Sequence, residues 1–342
     1  MLTTGRGSTR LSTSRIRAAV TALAVSATVL FTGAGGARAA TPIPAHVYAP
    51  YFETWTSDGI KATSDASGVK YFTLAFLETT SRRSCTLAWN GVKTQSVAAG
   101  RYLSDIASLR AAGGDIIPSL GGWSADQGGT EIGDSCADVN SIAAAYEQLV
   151  TTYDVTRIDM DIEGRSLTKP AGIDRRNKAI AMLQAWAASH GRTVQVQYTL
   201  PTNANGLGTN ELSVLQNAVS NGVRIDLVNP MVFDYYDRVT TDMGAAAISA
   251  SQGLHAQLQT LLPSKTSAQI WAMQGATMMN GVDDYPKGTE VTTVAAAQHL
   301  MGFAQQMGMS ELSIWAIQRD NSSSGIQQAP YDFSHALSPF TG

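Results

Sequence analysis

An alternation restricts this chain more than any other feature: eight apolar or β-branched runs, mostly separated by stretches with helical character. The runs cover residues 46–55, 71–79, 115–123, 157–163, 194–201, 225–235, 269–274 and 312–317. Among them, 97–112, 139–153, 173–190, 210–220, 245–262 and 294–307 read as helices from their apolar spacing. Gly113, Gly191, Gly222 and Gly308 stand where helix C-caps are needed. Only the first crossover, 55–71, is too short for a clear helix. A parallel neighbour is reached through a long crossover, so strands alternating with helices imply a parallel sheet. Eight such units in about 300 residues predict an α/β fold, a single-domain (β/α)8 TIM barrel. A doubly wound open sheet is the competing arrangement, but no GxGxxG follows the first run.

The segment before His46 has another character. Arg6, Arg10, Arg15 and Arg17 give a basic start, followed by an Ala-, Val- and Leu-rich run at 18–31. Small residues then lead to Ala37-Arg38-Ala39, an A-x-A cleavage pattern. Residues 1–39 are therefore expected to be a secretory signal cut near Ala39 or Ala40, leaving 40–342 as the barrel. A retained membrane anchor is the alternative, and the run is short for one. No second long apolar run appears, so the mature protein is expected to be extracellular, soluble, monomeric and free of the membrane. The formal net charge is -3 and no basic block occurs, which excludes nucleic acid as a partner. Cys85 and Cys136 are the two cysteines, both in polar, turn-rich stretches. In an exported chain they are expected to bridge two loops.

The fourth run holds the chemistry. Asp159, Asp161 and Glu163 alternate with Ile158, Met160 and Ile162. Successive strand side chains point to opposite faces, so three carboxyls share one face and three apolar side chains the other. Grouped carboxyls repel and resist desolvation, so such a row is poorly suited to stability alone. A solvated edge strand is the bland reading, but the large apolar alternates need a packed partner. The row could hold a divalent cation, run acid–base chemistry, or bind a sugar. Barrel chemistry gathers at the C-terminal strand ends. Those ends supply Trp55, Trp123, Gln197, Met231, Asp234, Tyr235, Gln274 and Trp315, a mixture of aromatic, amide and acidic groups suited to sugars.

Four segments carry a family resemblance. Asp159 to Glu163, DMDIE, is similar to the D-x-D-x-E core of the family-18 glycoside hydrolases, the chitinases and their relatives. Ser119-Leu120-Gly121-Gly122 resembles their S-x-G-G strand, and Met231 to Tyr235 resembles their M-x-[YM]-D-Y strand. Trp315 resembles the tryptophan ending the last barrel strand. The segments fall in family order across almost the whole of 40–342. Two departures stand out: Thr156-Arg157 replaces the Asp-Gly that often precedes the row, and Phe233 replaces a tyrosine of some relatives.

The resemblance implies a retaining, substrate-assisted cleavage of β-1,4-linked N-acetylglucosamine polymers, with chitin or its oligosaccharides as partner and no cofactor. Glu163 would be the acid and later the base. Asp161 would hold the acetamido N–H and balance positive charge, and Asp159 would hydrogen-bond Asp161 and share its proton. Tyr235 would position the acetamido oxygen, and Asp234 would orient the sugar or Glu163. Trp315 would floor the site, with Met231 beneath it and Gln197, Gln274, Trp55 and Trp123 as subsite contacts. Ser119, Gly121 and Gly122 read as structural. An endo-β-N-acetylglucosaminidase would use the same residues, and a lectin-like barrel would generally lack the acid. A metal site would want more ligands than Asp234 adds to the row. The histidines, His46, His190, His255, His299 and His335, fall mostly on helices, and no G-x-S-x-G is present.

Overall fold

The computed structural model describes residues 40–284 and 289–342. The expected signal segment, 1–39, lies outside the described residues. The strands are β1 (Val47–Tyr48), β2 (Tyr51–Glu53), β3 (Tyr71–Thr79), β4 (Leu87–Trp89), β5 (Asp115–Gly121), β6 (Arg157–Asp161), β7 (Gln195–Pro201), β8 (Leu227–Met231), β9 (Gly275–Met279), β10 (Gly281–Val282), β11 (Val291–Thr292) and β12 (Glu311–Trp315). The helices are α1 (Ile60–Ser67), α2 (Leu103–Ala111), α3 (Trp123–Gly128), α4 (Ile132–Ser135), α5 (Val139–Tyr153), α6 (Pro170–Ser189), α7 (Thr209–Ser220), α8 (Met243–Leu261), α9 (Ser267–Trp271), α10 (Val294–Met307) and α11 (Asp332–Leu337).

The sheet runs β1-β12-β9-β8-β7-β6-β5-β3-β2. Pro50, which lacks a backbone donor, separates β1 from β2. β1 pairs with β12 and β2 with β3, both in parallel, so the two halves of one stave close the ring. The result is a (β/α)8 barrel, with β4 added antiparallel to β3. The outward faces pack against the helices: Ile158, Met160 and Ile162 are buried with Tyr146, Leu149 and Ile180 in one continuous core. Among the described residues no helix is long and apolar enough to cross a membrane.

The short first crossover does hold a helix, α1, whose first main-chain N–H groups are capped from elsewhere by Asp105 Oδ2 at 2.7 Å and Oδ1 at 3.2 Å. The stretch 269–274 is not a strand. Thr266 and Gln269 form a capping box that starts α9, and the strand follows at β9. That shift changes which residue ends the stave.

Cys85 and Cys136 are disulfide-bonded, with Cα atoms 4.9 Å apart across 51 residues of sequence. The bond joins the loop after β3 to the end of α4. Ser135 beside it donates to the Ser81 and Ser84 carbonyls at 3.0 Å each. A loop of this length restricts the unfolded chain strongly. Replacing both cysteines with serine should therefore lower unfolding free energy by about 2–4 kcal/mol. Denaturant unfolding with midpoint and slope both fitted measures this, and an unchanged unfolding free energy would contradict it.

Candidate active site

A cavity of about 1070 Å³ opens at the C-terminal ends of the staves. Asp161, Glu163, Met231, Asp234, Tyr235, Trp315, Trp55 and Trp123 all line it. Glycine permits this geometry. A Cβ on Gly121 would lie 2.1 Å from the Asp161 carbonyl oxygen, and one on Gly122 would lie 2.6 Å from the Phe76 ring. The strand before the carboxyl row can approach it only without side chains.

Asp159 lies under the cavity, fully buried. Its Oδ2 accepts from Ser119 Oγ at 2.6 Å and Tyr51 Oη at 2.9 Å, and its Oδ1 accepts from Thr199 Oγ1 at 2.7 Å. The expected hydrogen bond to Asp161 is replaced by these three hydroxyls, so Asp159 and Asp161 act on one another through charge. Ser119, which read as structural, is thus a direct partner of the row. Burial raises Asp159 to about 6 while the three donors pull it down. Asp161 is raised well above the usual carboxylate range, first by burial and then by Glu163, Asp159 and Asp126. Its Oδ1 is buried without a hydrogen-bond partner. Glu163 is raised to about 7, chiefly by burial and also by Asp234, against the opposing main-chain N–H of Trp123. Asp161 and Glu163 are therefore held toward their protonated forms near neutral pH while the three donors favour a charged Asp159, the separation an acid–base site requires.

The segment carrying Asp234 and Tyr235 is tied down by carboxyls that the motifs did not reveal. The Asp234 N–H donates to Asp283 Oδ2 at 2.9 Å, and the Tyr235 N–H donates to Glu290 Oε2 at 2.8 Å. Asp234 holds a left-handed backbone, φ 48°, so these bonds support a conformation that aspartate adopts only with help. The Tyr235 hydroxyl is buried and unpartnered. Phe76, also not anticipated, stacks on Trp315 with centroids 5.4 Å apart and planes 14° apart. Trp55, Trp123 and Tyr236 are 50%, 57% and 58% exposed and line the cavity, so each presents ring surface to it.

Gln197 and Gln274 do not reach the cavity. Gln197 pairs in register with Asp159, two residues short of the rim, and its amide donates to Glu311 Oε1 at 2.8 Å. There it joins the buried pair of Arg157 and Glu311, 2.8 Å apart, that fills the lower barrel. Arg157, the departure before the row, thus has a structural partner on β12. Thr199 and Thr202 occupy the cavity wall on that stave instead. Gln274 precedes β9 and lies at its N-terminal end, beside His255 of α8. Met279 and Thr277 line the cavity from β9.

The profile of the family described as Glycosyl hydrolases family 18 matches residues 47–323. The "Probable bifunctional chitinase/lysozyme" of Escherichia coli (strain K12) is 34% identical over 319 residues, 87% of this chain and 35% of that protein. "Endochitinase 11" of Metarhizium anisopliae is 34% identical over 287 residues, 81% of this chain and 53% of that protein. The chain thus spans about a third and about half of these relatives. Among solved structures, active domain 2 of a chitinase from Pyrococcus furiosus, solved as catalytic-site mutants, is similar with a TM-score of 0.75 at 28% identity. That match covers 88% of this chain and 96% of that one.

Proposed function

The chain belongs to family 18 of the glycosyl hydrolases, and from that premise we propose that it hydrolyses β-1,4-linked N-acetylglucosamine polymers by a retaining, substrate-assisted route. One observation carries the reading. Two buried polar atoms without partners, Asp161 Oδ1 and the Tyr235 hydroxyl, belong to residues lining one cavity beside Glu163. An acceptor and a donor left open together complement the N–H and C=O of an acetamide. A Pyrococcus furiosus relative, 27% identical, was solved with chito-oligosaccharides, which supports the substrate class.

In the empty site Asp161 holds the proton of its pair, because three donors favour a charged Asp159 and none serves Asp161. When the acetamide N–H reaches Asp161, the charged form of Asp161 gains its donor, and Asp161 passes its proton to Asp159 as its side chain turns from one to the other. Tyr235 donates to the acetamide oxygen and aims it at the anomeric carbon. Glu163 gives its proton to the glycosidic oxygen as that bond breaks and the acetamide oxygen bonds to carbon, forming an oxazolinium. Asp161 balances the positive charge. Water, deprotonated by Glu163, then attacks the anomeric carbon from the side the leaving group occupied and displaces the acetamide oxygen, whose bond to that carbon breaks to restore the neutral acetamide, so configuration is retained. Trp315, stacked on Phe76, floors the reacting sugar, and Trp55 and Trp123 carry its neighbours.

We include in the proposal an exported enzyme with residues 1–39 as its signal; the disulfide suits an oxidising compartment. The name of the Escherichia coli relative makes peptidoglycan a second substrate to set beside chitin. The test is proton NMR of fresh products from a chitin oligomer, run alongside peptidoglycan and a high-mannose glycoprotein. The β-anomer should form first from the chitin oligomer, and first appearance of the α-anomer would refute retention. Only protonated Glu163 can act as the acid, so kcat/KM should fall as pH rises through about 7. Below about 6, protonation of Asp159 removes the charge of the pair, so activity should fall there too. A rate flat from pH 5 to 9 would exclude this assignment of the acid.

A further inference from the structure

The geometry points to Asp126 as a positioning residue for the acid–base step, acting on Glu163 through its main chain and on the carboxyl row through its charge. The inference rests on the reading of Glu163 as proton donor.

Asp126 lies on α3 and exposes no surface. Its Oδ2 accepts the main-chain N–H of Glu163, while its Oδ1 is buried without a partner. The contact is built from both sides. Gly122 N–H donates to the Asp161 carbonyl at 3.0 Å, and Asp126 N–H donates to the Gly122 carbonyl at 3.0 Å. On the far side, a Cβ at Gly164 would lie 2.1 Å from the amide nitrogen of Gln127, the neighbour of Asp126. Helix α3 therefore holds the backbone immediately before and after Glu163.

An acceptor for one N–H need not be a carboxyl. An asparagine would serve, and burying a carboxyl without a cation is costly. The nearby cation, Arg176 on α6, pairs with Glu131, Nε to Oε1 at 3.0 Å and Nη2 to Oε2 at 2.7 Å, and offsets the Asp126 charge only in part. The charged groups facing Asp126 are thus Glu131 and Arg176 on one side and Asp161 and Glu163 on the other, with Asp234 beyond Glu163. Burial and then Glu131 raise Asp126 itself, and Asp126 in turn helps raise Asp161. A fourth carboxyl in this dry space opposes ionisation of Asp161, its neighbour in the row, and its hold on Glu163 is the main-chain contact.

The test uses the full chain and two substrates: a chitin tetramer, whose leaving group is a poor alcohol, and a 4-nitrophenyl glycoside, whose leaving group needs little protonation. Asp126→Ala should lower kcat on the tetramer about 10- to 100-fold, less than the roughly hundredfold to ten-thousandfold contribution of the acid itself because the acid is displaced and not removed, with KM little changed and a smaller loss on the nitrophenyl substrate. Asp126→Asn keeps the acceptor for the Glu163 N–H and should restore most of kcat on the tetramer, with the basic limb set by Glu163 left in place. Equal losses on both substrates, or an Asn variant as impaired as the Ala variant, would overturn the inference. Glu163→Gln separates it from the reading beneath. If that variant is inactive on the tetramer while both Asp126 variants behave as the natural chain, the inference alone fails. If Glu163→Gln turns over the tetramer normally, the assignment of the acid fails with it.

Discussion

Glu163→Gln should bind chitin oligomers as the natural chain does and turn them over about a hundredfold to ten-thousandfold more slowly, the usual range for a lost proton donor. The amide has nearly the shape of the carboxyl and still donates and accepts hydrogen bonds, so the ground-state contacts survive. It has no proton to transfer to a departing sugar alcohol. It also cannot deprotonate water in the second half of the reaction. Burial that holds Glu163 at about 7 acts on a titrating group, and the amide has none, so the basic limb of the residual rate should vanish. Isothermal titration with a chitin oligomer gives the affinity, and single-turnover kinetics gives the rate. Full activity in this variant would remove Glu163 from the reaction. Lost binding with unchanged turnover of bound substrate would make it a contact only.

A larger loss should follow from deleting the nucleophile. Oligomers of glucosamine or glucose, which lack the acetyl group, should bind weakly and show no turnover under conditions where the acetylated oligomer is consumed. An acetamide held against the anomeric carbon acts with an effective concentration of about 10⁵–10⁸ M, worth several powers of ten in rate. The two carboxyls nearest the reaction have other roles: Asp161 belongs to a pair that receives the N–H, and Glu163 is the acid. The partnerless Asp161 Oδ1 and Tyr235 hydroxyl would also remain unpaired with such a substrate, which weakens binding. Product analysis by chromatography after prolonged incubation reads the outcome. Efficient cleavage of an unacetylated polymer would mean that a protein carboxylate attacks directly, and the substrate-assisted mechanism would be abandoned.

Both predictions depend on residues whose alternation is local. A strand has a period of two, so Asp159, Asp161 and the position of Glu163 follow from adjacent letters, as do the buried Ile158, Met160 and Ile162. The glycines of the preceding stave carry a similar meaning, since the clashes that a Cβ would create at Gly121 and Gly122 are short-range. Stave order also follows from chain order, because each parallel neighbour must be reached through a crossover. The capping box at Thr266 and Gln269 was legible too. With that box starting α9, Gln274 falls at the N-terminal end of β9.

The sequence by itself therefore determined the repeat, the closed family of folds that can satisfy it, and the one stave with carboxyls on its inner face. The tertiary structure alone decided depth and partnership. Gln197 and Thr199 share a face two residues apart, yet only the register of β7 against β6 places the first beneath the cavity and the second on its wall. Tyr51 meets Asp159 across 108 residues of sequence, and Asp283 and Glu290 meet the Asp234–Tyr235 backbone across about fifty. Asp126 gives no signal in its neighbours; its role exists only because α3 turns back over the end of β6. Local pattern specifies which way a side chain points on its own strand. Which atoms it then meets is set by the register and closure of the barrel, where hydrogen bonds along every stave act together.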